Sequence, residues 1–182
     1  MADRARRALW LIPLLLVQIG CDRATKDLAQ SELLGERPQR LLGGLVKLVY
    51  VENTGAFLGL GGELGEQLRF WLFTVVIGIG LTIGLLYLLG KRQLSLFASL
   101  AGAMVVAGGL GNLIDRVVQD GRVTDFVQLG VGPLRTGIFN VADVQIMAGA
   151  AMIAWLAYKT PRQEEGPPDD AAGGPGDELA EA

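Results

Sequence analysis

Long uncharged runs dominate the pattern of this chain. Phe70–Gly90 and Gln93–Ile114 hold no charged residue, and Thr136–Tyr158 holds only Asp143. Each matches the roughly 20 apolar residues that a helix needs to cross a bilayer. A fourth run, Ala8–Cys21, is shorter and follows Arg4, Arg6 and Arg7. The pattern predicts membrane spans at about 8–28, 70–90, 93–114 and 138–158, within one unit over 1–160. Small residues recur at spacing four, as Gly80 and Gly84 in the second span and Ala103, Ala107 and Gly111 in the third. That spacing lets helices approach closely in lipid.

Between the first two spans, Leu45–Val51 is apolar and β-branched and leads into the turn Glu52-Asn53-Thr54-Gly55, a strand signal. "RVTDFVQLG" (Arg122–Gly130) reads the same way, so two short strands are expected beside the bundle. From Pro161 onward the chain is rich in Pro, Gly and acid, and residues 161–182 are expected to be a disordered acidic tail.

The first run has two readings. A basic start, a short apolar stretch and Gly20-Cys21 match a lipoprotein signal cut before its cysteine. Against cleavage, Gln18 stands three places before Cys21, where such a signal wants an aliphatic residue. Retention as a span also puts Arg4/Arg6/Arg7, Lys91/Arg92 and Lys159/Arg162 on one side, as the positive-inside rule asks. Retention is therefore the reading taken, with both termini cytoplasmic. Cys21 itself is expected to be a small buried apolar residue.

Composition narrows the chemistry. Of 182 residues, 51% are apolar and 26 are Gly, while His is absent and Cys occurs once. This excludes a His/Cys zinc site, a Ser-His-Asp triad, a Cys-His dyad and an internal disulfide. The net charge of -3 comes largely from the tail, and no basic patch suggests nucleic acid.

The polar residues fall at one depth. Asp22 and Lys26 (i, i+4) lie near the outer end of span one, and Asn112, Asp115 and Arg116 (i, i+3, i+4) near that of span three. Asn140 and Asp143 stand at the start of span four, with Asn53 and Asp125 in the outer segments. Each has a bland reading. Asp22/Lys26 reads as an ion pair, Asn53 as an Asx turn, Asp115-Arg116 as interfacial anchors, and Asn140 as an N-cap with Asp143 at N3. Asp125 fits its place least well, because Asp is depleted in strands. Ionisable groups at membrane depth are costly unless paired, so their shared depth points to function.

Five motifs occur in one order: "DRATK" (Asp22–Lys26), "NTGAF" (Asn53–Phe57), "GGLGNLIDR" (Gly108–Arg116), "VTDF" (Val123–Phe126) and "FNVAD" (Phe139–Asp143). Together they resemble the lipoprotein signal peptidases (signal peptidase II), integral membrane aspartyl proteases of bacteria. The resemblance runs from about Ala8 to Tyr158; one departure is Phe57, which comes one place earlier than the family's aromatic. It implies an all-α membrane protein, a four-transmembrane-helix bundle with a small extracytoplasmic β-cradle. It also implies Asp125 and Asp143 as the catalytic pair, with Asp22, Lys26, Asn53, Asn112, Asp115, Arg116 and Asn140 supporting the site or positioning substrate. The substrate implied is a prolipoprotein with diacylglyceryl on its lipobox cysteine, cut just before that cysteine. The remaining expectations are a bacterial inner-membrane location with the site near the outer face, contact with membrane lipid, a monomer, no nucleic acid, and no metal or cofactor. Two other classes compete on the residues alone: a metal-dependent membrane transferase using Asp22, Asp115, Asp125 and Asp143, and a small transporter.

Overall fold

The uncharged runs fold into four long helices in a computed structural model, which describes residues 2–55, 61–91 and 94–159. The helices are α1 (Ala2–Leu33), α2 (Glu66–Gly90), α3 (Leu96–Val118) and α4 (Val141–Lys159). Four strands complete the order: β1 (Gln39–Leu41) and β2 (Val46–Asn53) between α1 and α2, and β3 (Val123–Val131) and β4 (Leu134–Phe139) between α3 and α4. The four-helix membrane bundle with a small sheet is the architecture expected from the sequence. The tail beyond residue 159, together with Phe57 and Arg92, lies outside the described residues.

Helices α2 to α4 carry exposed apolar residues such as Ile79, Ile83, Val117 and Ile153 on their outer faces. Exposed aliphatics cost nothing against lipid, and all backbone groups within a helix are paired internally. The bundle interior is small and tight. Leu11, Leu15, Leu88, Ala103, Val106 and Ala107 form its apolar core. Leu81 and Leu88 of α2 seat against Gly109 and Gly102 of α3, and Gly84 faces Val106. Gly80, expected at the same seam, has open space beside it instead. The α3–α4 seam is closer still: a Cβ at Gly108 would lie 2.4 Å from the Ala142 carbonyl oxygen, so only glycine permits this approach.

Several boundaries differ from the sequence reading, for identifiable reasons. Helix α1 runs past residue 28 to Leu33 because Ala29 and Leu33 pack with Phe126 beneath the sheet. Ile138 and Phe139, read as the start of span four, belong to β4, where they pair with Gln128 and Val127. Apolar residues such as Ile138 and Phe139, entering a helix directly from a strand, carry no periodicity that marks the border. The helix begins after Asn140. Cys21 is exposed rather than buried, because the inward stripe of α1 passes through Asp22, Lys26, Ala29 and Leu33 and leaves position 21 outside.

The sheet is an antiparallel meander in the order β1-β2-β3-β4. Two of its strands were not anticipated: β1, three exposed residues, and β4. It covers one end of the bundle because β3 follows α3 directly and β4 leads into α4. At the opposite end, Arg7 donates to the Lys91 and Leu94 carbonyls, tying the start of α1 to the α2–α3 connection.

Candidate active site

The site forms where the last third of α1, the end of α3 and the start of α4 meet strands β2 and β3. Helix α4 starts with a capping arrangement that also builds the site. The Asn140 carboxamide oxygen accepts from the Asp143 N–H at 2.9 Å, and the Asp143 Oδ2 accepts from the Asn140 N–H at 3.2 Å. This reciprocal cap satisfies two groups that a helix start leaves unpaired. The next orphan donor, Ala142 N–H, is met from another helix, by Asp22 Oδ1 of α1 at 2.9 Å. The bland reading of Asn140 and Asp143 is thus correct as far as it goes, but their remaining atoms point elsewhere.

Those atoms join the two carboxylates. Asn140 Nδ2 donates to Asp125 Oδ1 at 2.7 Å, and Asn112 Nδ2 donates to Asp143 Oδ1 at 2.9 Å. Asn112 Oδ1 accepts from Asn140 Nδ2 at 3.1 Å and from Lys26 Nζ at 2.9 Å, so one asparagine ties α1, α3 and α4 together. Asp125 reaches the cluster from β3, where it pairs with Val51, and Asn53 near the end of β2 donates to its Oδ2 at 2.9 Å. Asn53 also makes the expected Asx turn, its Oδ1 accepting from Gly55 N–H at 2.9 Å. Asp125, Asn140 and Asp143 are all buried, though a pocket of about 310 Å³ lined by Asn53, Thr54, Asp125 and Ile138 gives access to the Asp125 side.

A second layer of charge supports the first. Lys26, 1% exposed, pairs with Asp22 at 2.8 Å and Asp115 at 2.9 Å. Asp115 is fully buried rather than an interfacial anchor; it also accepts from Arg23 at 2.5 Å and from the Thr124 N–H at 3.2 Å. It therefore fixes the strand one residue before Asp125. Arg116 donates to the Asn112 carbonyl at 3.3 Å and the Gly55 carbonyl at 2.9 Å, holding the loop after Asn53, and its guanidinium lies over the Phe73 ring. All nine residues singled out in the sequence converge here. Arg23 was not among them; its spacing of four from Asp27, with which it pairs at 3.0 Å, was the available signal. Gln145 was also missed: its side chain donates to the Gln18 carbonyl across the α1–α4 seam.

Gly111 shows how closely the site is built. A Cβ there would sit 2.6 Å from Asp22 Oδ2. Gly111→Ala is expected to push Asp22 off the Ala142 N–H and Lys26, lowering both the thermal midpoint in detergent and activity. An unchanged midpoint would show that Asp22 has room to move.

Burial pushes the Asp125 carboxyl up to about 6; the Asn53 and Asn140 donors pull it down and the neighbouring Asp143 charge raises it. A carboxyl raised in the folded state stabilises the fold fully below pH 3.8, and that contribution is lost as pH rises through about 6. The thermal midpoint of the wild type is expected to fall across this window relative to Asp125→Asn. Parallel pH curves for the two proteins would contradict the assignment.

Four membrane helices closed at one end by a sheet, with a buried carboxylate cluster at that end, define a multi-pass membrane protein with an enzyme-like site. The family model described as signal peptidase (SPase) II matches residues 14–159. Among similar proteins, the lipoprotein signal peptidase of Rhodococcus jostii is 35% identical over 156 residues, 83% of this chain and 73% of that one. That of Hydrogenovibrio crunogenus is 34% identical over 172 residues, 91% of this chain and 93% of that one. A solved bacterial membrane enzyme, determined by the in meso method at 2.3 Å, superposes with a TM-score of 0.70 at 25% identity, covering 85% of this chain and 92% of its own. The chain belongs to the signal peptidase II family, a family of peptidases.

Proposed function

We propose that this protein removes signal peptides from diacylglyceryl-modified prolipoproteins by an aspartyl mechanism, cutting just before the lipid-bearing cysteine. The supporting observation is that Asp125 and Asp143, carried on separate elements, are both tied to Asn140 at the membrane-end site. Two carboxylates held this close do not both ionise cheaply, so the pair keeps one shared proton. The ionised member takes a proton from water, whose oxygen attacks the scissile carbonyl carbon. The protonated member donates to the carbonyl oxygen. Collapse of the tetrahedral intermediate breaks the C–N bond, and the proton taken from water passes to the leaving amine.

The supporting residues have separate tasks in this scheme. Asn53 and Asn140 orient Asp125, and Asn112 orients Asp143. Lys26 neutralises Asp22 and Asp115 and serves as a structural cation rather than a base. Among the described residues, Asp22, Asp115, Asp125 and Asp143 are met by N–H donors, an arrangement that disfavours the metal-dependent reading. The site acts near the outer face of the bacterial inner membrane, with both termini cytoplasmic, on a monomer.

The test is mass-spectrometric mapping of the products from a diacylglyceryl lipobox peptide and its unlipidated twin, incubated with purified protein in detergent. The expected result is one cut immediately before the modified cysteine, with the unlipidated peptide a poor substrate. A cut elsewhere, or equal cleavage of both peptides, would overturn the proposal.

A further inference from the structure

The buried charges around the site do not balance by themselves. Asp22, Asp115, Asp125 and Asp143 are buried, and so are Lys26 and Arg116. Four carboxylates against two cations leave two negative charges among the described buried residues. The proton shared by Asp125 and Asp143 removes one of them. The other, if uncompensated, is expensive in a buried setting, so a third cation is expected at the edge of the cluster.

Arg23 fills that place. One guanidinium nitrogen donates to Asp115 Oδ1 at 2.5 Å, and the other meets Asp27 at 3.0 Å. The Arg23 side chain is 36% exposed and that of Asp27 57%, so Asp27 orients the guanidinium from the solvated side without entering the buried balance. Asp115 is fully buried, and the pair therefore reaches from the surface of α1 into the interior. From Asp115 the contacts run two ways. Its Oδ2 accepts from the Thr124 N–H, one residue before Asp125. It also meets Lys26, which donates to Asn112, and Asn112 in turn donates to Asp143.

Other charged groups around the cluster face open space. Glu66, Arg69, Asp120 and Arg122 line a cavity beside Arg116, two of each sign. Glu52 pairs with Arg122 at 2.7 Å, and both are partly exposed. Glu63 stands exposed on the pocket that reaches Asp125. Solvent and salt screen all of these more strongly than the buried ion pairs.

We propose that Arg23 is a positioning residue for the cleavage reaction: its charge, held on Asp115, leaves the buried cluster neutral when Asp125 and Asp143 share one proton, and so sets the pH range of cleavage. The assignment rests on the peptidase reading above. Without this charge, the surplus negative charge favours a second proton on the pair. A doubly protonated pair has no carboxylate left to activate water, so the pH range of cleavage moves upward. An effective dielectric of about 20 and the partly exposed place of Arg23 give a shift of about half to one pH unit, or about threefold to tenfold in rate on the acid side.

The test is kcat as a function of pH for wild type, Arg23→Gln, Arg23→Lys and the double variant Arg23→Gln/Asp115→Asn. The substrate is a lipobox peptide carrying dipalmitoylglyceryl cysteine, and thermal midpoints serve as the folding control. In Arg23→Gln the acid limb is expected to move up by that amount, while Arg23→Lys keeps the wild-type limb. The double variant removes one charge of each sign and is expected to return the limb to its wild-type pH, whatever its rate. An equal loss of rate at every pH in folded Arg23→Gln would reduce Arg23 to a structural tie and overturn the proposal. An Arg23→Lys limb displaced like that of Arg23→Gln would overturn it too. If Arg23→Gln alone does not fold, the double variant decides, and a limb moved up by about half a unit or more contradicts the charge balance. No cleavage by wild type at any pH would overturn the peptidase reading, and this assignment with it.

Discussion

Asp125→Asn is expected to lower cleavage by about three orders of magnitude or more while the protein stays folded. Two effects combine. The variant loses the proton-shuttling carboxyl, and it also misfits its partners. Both Asp125 oxygens accept from side-chain amides, Asn53 on one side and Asn140 on the other. An asparagine at 125 must turn its own NH2 toward one of these donors, so one contact becomes a repulsion. If the repelled donor is Asn140, it loses Asp125 Oδ1 but keeps the Thr124 carbonyl at 3.3 Å, and its cap of α4 persists, since the cap uses different atoms. Asp143→Asn is expected to be equally inactive but less stable, because Asp143 accepts from the Asn140 N–H as well as from Asn112. Initial rates on a diacylglyceryl peptide, read beside thermal midpoints, check both points. Residual activity within tenfold of wild type in either variant would remove that residue from the chemistry.

The largest stability effect is expected from Lys26→Met. Lys26 is buried between two carboxylates and also donates to Asn112. Methionine fills the space but leaves Asp22 without its cation and Asp115 with Arg23 alone. Breaking a buried pair by removing one partner costs about 3–5 kcal/mol, since the remaining charge is stranded. For a chain of this size that corresponds to a fall in thermal midpoint of about 10 °C or more. Activity should fall too, because Asn112 loses the closer of the two donors to the oxygen of the amide that faces Asp143, keeping only Asn140. Adding Asp22→Asn to Lys26→Met should recover part of the loss: the stranded charge disappears, and the new carboxamide oxygen still accepts from Ala142 N–H. A double variant less stable than Lys26→Met would show that the cost lies in packing rather than charge.

The sequence revealed the bundle more fully than the sheet, and the physics explains why. Uncharged runs long enough to cross a bilayer are unambiguous, because few other environments accept them. Strand β2 was visible through its β-branched run. Strand β1 is three exposed residues without an apolar pattern, and β4 ends in Ile138-Phe139, which read equally well as helix. The site residues were legible because charge at membrane depth is rare. Their wiring was not. Nothing in the spacing says that Asn140 caps its helix with one set of atoms and holds Asp125 with another. Nor does it say that Asp115 fastens the Thr124 backbone. Arg23 escaped notice for the same reason: its partner Asp115 is distant in sequence, and only the packing of α1 on α3 brings them together.

The central claim is that Asp125 and Asp143 break the peptide bond without a metal. Cleavage of a diacylglyceryl lipobox peptide by wild type, Asp125→Asn and Asp143→Asn, each with and without EDTA, tests it most directly. The account predicts wild-type cleavage at the same rate in chelator and none in either folded variant. Cleavage that stops in EDTA and returns with added divalent cation would contradict it, and would make these aspartates metal ligands instead.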